Sequence, residues 1–155
     1  GEAEGPAYDE EVLVIEADID DMEMEYLGAV TERIRAAGAI DVLHFPVSMK
    51  KGRTGVRISI TADASRFEHI VETIFAETTT FGIRWRTNFR RILHREEETF
   101  TTSYGPVRVK KGFDSSGRMI KIHVEFDDVK AIADAKNIPY REVLEIIKEE
   151  IPIRT

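Results

Sequence analysis

Three short stretches carry residue types that can do chemistry. Asp18-Ile19-Asp20-Asp21 places three carboxylates within four residues, between an apolar run and the start of a helical pattern. Such a set suits a hard, oxygen-loving cation such as Mg²⁺ or Mn²⁺. It equally suits a helix N-terminus, where acids cap free N–H groups and meet the positive end of the helix dipole. Lys50-Lys51-Gly52-Arg53 places three cations around a glycine. Glycine allows close backbone approach and arginine grips phosphate oxygens in pairs, so a polyphosphate fits; a solubilising hairpin tip fits as well. The stretch lacks the spacing and following helix of a Walker loop. Thr78-Thr79-Thr80 follows a helical pattern that three threonines do not prolong. Their hydroxyls are candidate donors to a phosphate or sugar, or simply form a loop.

A fourth stretch, Arg84 to Lys111, holds eight bases and three acids. Arg84 and Arg86 share one strand face, as do Arg108 and Lys110, so two such strands are expected to build a positive wall. Trp85, Phe89 and Tyr104 are interleaved, which admits a nucleic-acid reading as well as ordinary core packing. His44, His69, His94 and His123 show no metal-ligand spacing. Neither a nucleophile elbow nor a dinucleotide glycine fingerprint occurs.

These residues need elements to hold them. Val12 to Ala17 reads as a strand, and Leu27, Val30, Ile34 and Ala37 trace a helix that stops at Gly38, capped by Asp20 or Asp21. Leu43, Phe45, Val47 and Met49 share one face of a second strand, and Val56, Ile58 and Ile60 one face of a third. Ser65 and Glu68 form a capping box for a helix through Phe67, Ile70, Val71, Ile74 and Phe75. A fourth strand begins near Ile83, with a bulge or bend at Arg90-Arg91. The order β-α-β-β-α-β is that of a ferredoxin-like α+β unit. Pro46 in the second strand agrees, because that strand is an edge in this topology.

Residues 99–155 read as an appended unit packed with the first: a hairpin about Tyr104-Gly105-Pro106, a turn at Asp114-Ser115-Ser116-Gly117, a strand from Met119 to Phe126, and two short helices. Asp127 or Asp128 caps the first helix, which ends near Asn137, and Pro139 opens the second. The expected organisation is an acidic leader over 1–10, a ferredoxin-like domain over 11–98 and the appended unit over 99–155.

At 155 residues the chain can bury a full core, and with no cysteine it excludes disulfides, thiolate metal sites and cysteine nucleophiles. No apolar run approaches the ~20 residues of a membrane span, so a cytoplasmic protein is expected. The net charge of −7 hides an asymmetry: residues 1–32 hold 12 acids and no base, whereas the rest holds 22 bases against 17 acids. Phosphate ligands are therefore compatible with the body of the chain. The chain begins with Gly1 and reads as a fragment or processed product.

Taken in order, DIDDM (Asp18 to Met22), AGAIDVLHFPVSMKKGR (Ala37 to Arg53), ETTTFGIR (Glu77 to Arg84), RILHRE (Arg91 to Glu96) and YGPVRVK (Tyr104 to Lys110) resemble the C-terminal domain of the LarC nickel-insertion proteins. NIPYREV (Asn137 to Val143) is similar to that family's last helices, whereas His123-Val124-Glu125-Phe126 departs from its pattern. The resemblance implies an enzyme that uses CTP and a divalent metal to insert nickel into a pyridinium bis-thiocarboxylic acid mononucleotide, giving the pincer cofactor of lactate racemase. It also implies a homo-oligomer and an N-terminal domain lying outside this chain. Asp18, Asp20 and Asp21 would then hold Mg²⁺ or Mn²⁺. Lys50, Lys51, Arg53, Arg84, Arg108 and Lys110 would neutralise the triphosphate, and Thr78, Thr79 and Thr80 would add donors. Competing readings are a regulatory ferredoxin-like module for a small ligand, an RNA-binding domain on the Arg84 to Lys111 face, which the acidic head disfavours, and an assembly domain with solvated charges.

Overall fold

The structure, a computed structural model, describes residues 8–20 and 22–151. The residues fall into two compact units: Glu10–Arg90, and the residues from Arg91 onward together with Tyr8 and Asp9.

In the first unit β1 (Tyr8–Asp20), α1 (Met24–Ala36), β2 (Asp41–Ser48), β3 (Thr54–Ala62), α2 (Phe67–Glu77) and β4 (Arg84–Ile92) follow in the expected order. The sheet runs β2-β3-β1-β4, the ferredoxin-like arrangement, with β2 at an edge and its Pro46 opposite Val56. Alternation decides which side chains meet the helices. Ile15, Ala17 and Ile19 of β1 and Ile58 and Ile60 of β3 are at most 1% exposed and pack with Leu27, Val30 and Ile34 of α1 and Ile70 and Ile74 of α2. Each fully buried isoleucine contributes roughly 1.5–3 kcal/mol through the area it removes from water. The intervening residues Glu16, Asp18 and Asp20 take the opposite sheet face. Strand β1 is thus longer than its apolar run, and its polar half is part of the strand.

Several local expectations are corrected. Helix α1 starts after Glu23, with no side-chain cap. Asp20 is the last residue of β1. Asp63, not Ser65, caps the α2 region: its Oδ1 accepts from the Ser65 N–H at 2.9 Å, and a 3₁₀ turn over Ala64–Arg66 leads into the helix. On β2 the buried residue is Val42, while Leu43 and Phe45 are about half exposed, so the larger apolar residues line the face away from the helices.

The second unit is a sheet β5-β6-β7 of β5 (His94–Thr102), β6 (Gly105–Phe113) and β7 (Met119–Val124), followed by α3 (Phe126–Lys136) and α4 (Tyr140–Glu150). Strand β4 runs on through Arg90-Arg91 to Ile92, and the bend expected there falls at Leu93, where the chain passes to β5. Val107 and Val109 of β6 pack with Val129 of α3 and Val143 and Ile147 of α4. Helix α3 begins after Glu125 without a side-chain cap, and Asp128 is occupied elsewhere. Asn137, at φ 54°, ends it in the left-handed conformation that asparagine tolerates. Among the described residues no helix is long and apolar enough to cross a membrane.

Candidate functional site

Strand β3 and β1 are antiparallel and in register, with Asp18 opposite Arg57 and Asp20 opposite Gly55. Gly55 is required there: a Cβ on it would lie 2.5 Å from the Ile19 carbonyl oxygen and would strike the Met49 side chain. This close approach brings the β2–β3 connection down against the end of β1. The connection is a short 3₁₀ turn, Lys50–Gly52, closed by a hydrogen bond from the Met49 N–H to the Arg53 carbonyl at 2.7 Å. Lys51 and Gly52 both have positive φ, 61° and 71°. Two such residues in succession turn the chain sharply and leave Lys50, Lys51 and Arg53 exposed.

The result is a cavity of about 450 Å³ lined by Asp18, Asp20, Lys50, Lys51, Arg53 and Arg57, with Val47, Ser48 and Met49 completing its wall. Five of the residues singled out in the sequence therefore meet in one place. The sixth, Arg57, is new. Its Nε donates to Asp18 Oδ1 at 2.7 Å and its Nη2 to Asp18 Oδ2 at 3.1 Å. Beside the cavity, Arg84 of β4 donates to Glu16 Oε2 at 3.0 Å and reaches Asp18 Oδ2 at 3.4 Å, and Arg86 donates to Glu16 Oε1 at 2.8 Å. Two carboxylates and three guanidinium groups thus form one ladder across β3, β1 and β4. The hydrogen bonds hold the Asp18 carboxyl, chiefly through Arg57, and the Glu16 carboxyl, chiefly through Arg86, below their ordinary ranges. Glu16 sits inside the apolar run VLVIEA, and only the i, i+2, i+4 alternation with Asp18 and Asp20 could have revealed it.

Other candidates are placed differently. The Thr78 hydroxyl donates to the Ile74 carbonyl at 2.8 Å, closing α2, and the Thr80 hydroxyl donates to the Gly82 carbonyl at 2.9 Å. These hydroxyls shape their own loop. The loop is anchored by Glu77, whose carbonyl accepts from the Tyr26 hydroxyl at 3.0 Å and whose carboxylate pairs with Arg33. Phe81 in the same loop is fully exposed.

Arg108 and Lys110 stand on β6 in the second unit, whereas Arg84 and Arg86 stand on β4, so the two pairs belong to different sheets. Arg108 is engaged by both oxygens of Asp128, and Lys110 pairs with Glu125 at 2.9 Å. Trp85 packs its ring 4.9 Å from that of Phe67, yet both Trp85 and Phe89 are exposed, so neither takes the core-packing role open to it in the sequence. His44 Nε2 shares a hydrogen bond of 2.8 Å with the Thr31 hydroxyl, and His94 lies against Glu96. Among the described residues no three His, Asp or Glu side chains converge as a cation cage. Asp21 and most of the acidic leader lie outside the described residues.

A family model described as nickel insertion protein matches residues 2–144. The chain belongs to the nickel insertion protein family. The curated pyridinium-3,5-bisthiocarboxylic acid mononucleotide nickel insertion protein of Acetivibrio thermocellus is 40% identical over 143 residues, which is 92% of this chain and 35% of that protein. The chain spans about a third of the length of the curated relatives it matches. Among solved structures, the apo C-terminal domain of a cyclometallase involved in the synthesis of the NPN cofactor of lactate racemase superposes with a TM-score of 0.84 at 34% identity, covering 90% of this chain and 96% of that one. A Methanopyrus kandleri protein superposes at 0.70 with 21% identity, covering 88% and 85%, and shares the fold. The chain thus shares its α+β fold with that cyclometallase C-terminal domain, in agreement with the motif resemblance.

Proposed function

We propose that the Glu10–Arg90 unit binds a nucleoside triphosphate, CTP, together with Mg²⁺ or Mn²⁺, and that this binding serves the insertion of nickel into pyridinium-3,5-bisthiocarboxylic acid mononucleotide by the longer protein to which such a chain belongs. The observation that carries the reading is the cavity in which Lys50, Lys51, Arg53 and Arg57 meet Asp18 and Asp20. Four cations match the charge of a triphosphate, and arginine can hold phosphate oxygens in pairs. Asp18 and Asp20 are hard oxygen donors of the kind that Mg²⁺ takes one or two of, the remainder coming from phosphate and water. The donor set therefore fits a metal–triphosphate better than a bare cation: the nearby Glu16 carboxylate is taken up by Arg84 and Arg86, and no three such side chains converge as a cation cage among the described residues. Asp18 is shared between Arg57 and Arg84, so a ligand exchanges these ion pairs for its own. Arg84 stands beside the cavity as a further cation. Arg108 and Lys110 are each paired with a carboxylate of their own unit and do not line this cavity.

Nickel, the substrate metal, is well served by imidazole and thiolate donors, and this chain has no cysteine and, among the described residues, no cluster of three His, Asp or Glu. In this reading the nickel and thioacid chemistry rests with parts of the longer protein and with the pincer precursor itself. The chain works as an oligomer in the cytoplasm, which sedimentation and cell fractionation can measure.

Thermal unfolding with a nucleotide panel tests the proposal. CTP with Mn²⁺ should raise the midpoint more than ATP, GTP or UTP, and more than CTP with a chelator. Equal or absent shifts for every nucleotide would sink it. A regulatory module for a small ligand does not by itself call for four cations around one cavity, whereas a triphosphate does.

A further inference from the structure

The second unit contains a cavity of its own, about 230 Å³, between β7 and the two helices. Its floor is apolar: Ile122 and Val124 of β7, Phe126 at the start of α3 and Leu144 of α4. Its lining carries two cations, Arg141 and Lys148, with His123 beside them, and among the described residues no Asp or Glu lines it. Arg141, Leu144 and Lys148 follow at helical spacing, so one face of α4 supplies an apolar contact flanked by two positive charges. Arg141 reaches its neighbour Glu145 only at 4.0 Å, with both side chains well exposed, so it is free to turn toward the cavity. In a chain of net charge −7 this local concentration of cations on an apolar floor is complementary to an apolar anion.

The walls also say which kind. Phe126 and Tyr140 meet edge to face, with ring centroids 5.8 Å apart and planes at 82°, and both remain about half exposed at the cavity. A flat ring entering between them and Leu144 extends that contact with favourable geometry. The Tyr140 hydroxyl is already used, donating to Asp134 Oδ1 at 3.0 Å, so the ring rather than the hydroxyl faces a guest. An apolar cavity of ~150 Å³ accommodates one benzene ring, and this one is larger by room for a charged substituent.

We propose that the groove between β7 and α4 is a binding site for a small aromatic carboxylate, its ring on Ile122, Phe126 and Leu144 and its carboxylate on Arg141 and Lys148. The inference uses none of the residues of the nucleotide reading and stands apart from it.

Titration of ¹⁵N-labelled protein with 2-naphthoate, followed by amide shifts, tests the proposal. Saturable shifts should centre on β7 and α4, and neutral 2-naphthalenemethanol should bind at least tenfold more weakly. The exposed pair Arg141→Glu with Lys148→Glu should lose 2-naphthoate binding by tenfold or more while retaining the amide spectrum of a folded chain. Leu144→Trp, which fills the cavity, should abolish it. Equal binding of the neutral alcohol, undiminished binding by the charge-reversed pair, shifts centred elsewhere or no saturable shift would each overturn the proposal.

Discussion

Arg57 on β3 grips Asp18 on β1 through both carboxylate oxygens, at 2.7 and 3.1 Å, from the position directly opposite it in the ladder. This contact joins the wall of the proposed nucleotide cavity to the ion-pair ladder that continues to Glu16, Arg84 and Arg86. It sets the state from which any metal or phosphate must recruit Asp18, and the expected responses of the protein follow from it.

Acid should weaken the fold through this ladder. The Asp18 and Glu16 carboxyls titrate below their ordinary values of 3.8 and 4.5, because Arg57 and Arg86 favour the charged forms. A lowered folded-state value contributes stability that is present above the unfolded value and is lost as pH falls through the folded one. Urea midpoints should therefore fall as pH drops below the ordinary carboxylate range. In Asp18→Asn the same descent should be shallower. An unchanged slope in that variant would show that Asp18 is not coupled to folding.

Charge at the turn should matter separately from its shape. Lys51 holds φ at 61°, a conformation asparagine adopts readily. Lys51→Asn should therefore leave thermal stability within ~0.5 kcal/mol of the parent, as for a surface change, yet weaken CTP binding severalfold. Lys50→Glu with Arg53→Glu should weaken it by tenfold or more. Calorimetric titration of each variant checks both expectations.

Gly55→Ala tests how closely β1 and the turn must approach. The new methyl group meets the Ile19 carbonyl oxygen at 2.5 Å, which is backbone and cannot turn aside. Overpacking of this kind costs about 1–3 kcal/mol. The same shift moves the turn away from Asp18 and Asp20, so nucleotide affinity should fall together with stability. Denaturant unfolding and calorimetry on the one variant measure the two effects.

Each unit rests on its own apolar cluster. Ile58 in the first and Ile147 in the second are fully buried. Truncating either to alanine should cost about 2–5 kcal/mol, the range for a buried isoleucine that leaves a cavity. A loss under ~1 kcal/mol at either site, read from urea unfolding, would contradict the packing described for that unit.

The strand and helix order of the first unit was legible because period-2 and period-3.6 patterns are strong there, and Pro46 marked an edge. The meeting of Asp18 and Asp20 with Lys50, Lys51 and Arg53 was only half legible. The residue types announced a metal–phosphate chemistry, but their convergence depends on the β1–β3 register and on Gly55, which no local pattern states. Arg57 and Glu16 were missed because each stands alone between apolar neighbours of a core strand, where alternation reads as packing. Helix caps went wrong for a related reason. Asp20, Ser65 and Asp127 have the right chemistry for capping, yet the strand runs on through Asp20 and Asp63 supplies the contact expected of Ser65. The Arg108 and Lys110 pair looked continuous with Arg84 and Arg86 in spacing, but the chain changes sheets between them.

Isothermal calorimetry with CTP, ATP, GTP and UTP, each with and without Mn²⁺, tests the central claim most directly. Saturable binding of CTP is expected that requires the metal, exceeds that of the other nucleotides, and falls at least tenfold in Lys50→Glu with Arg53→Glu. Binding that ignores the metal and the base, or that survives the loss of Lys50 and Arg53 unchanged, would contradict it.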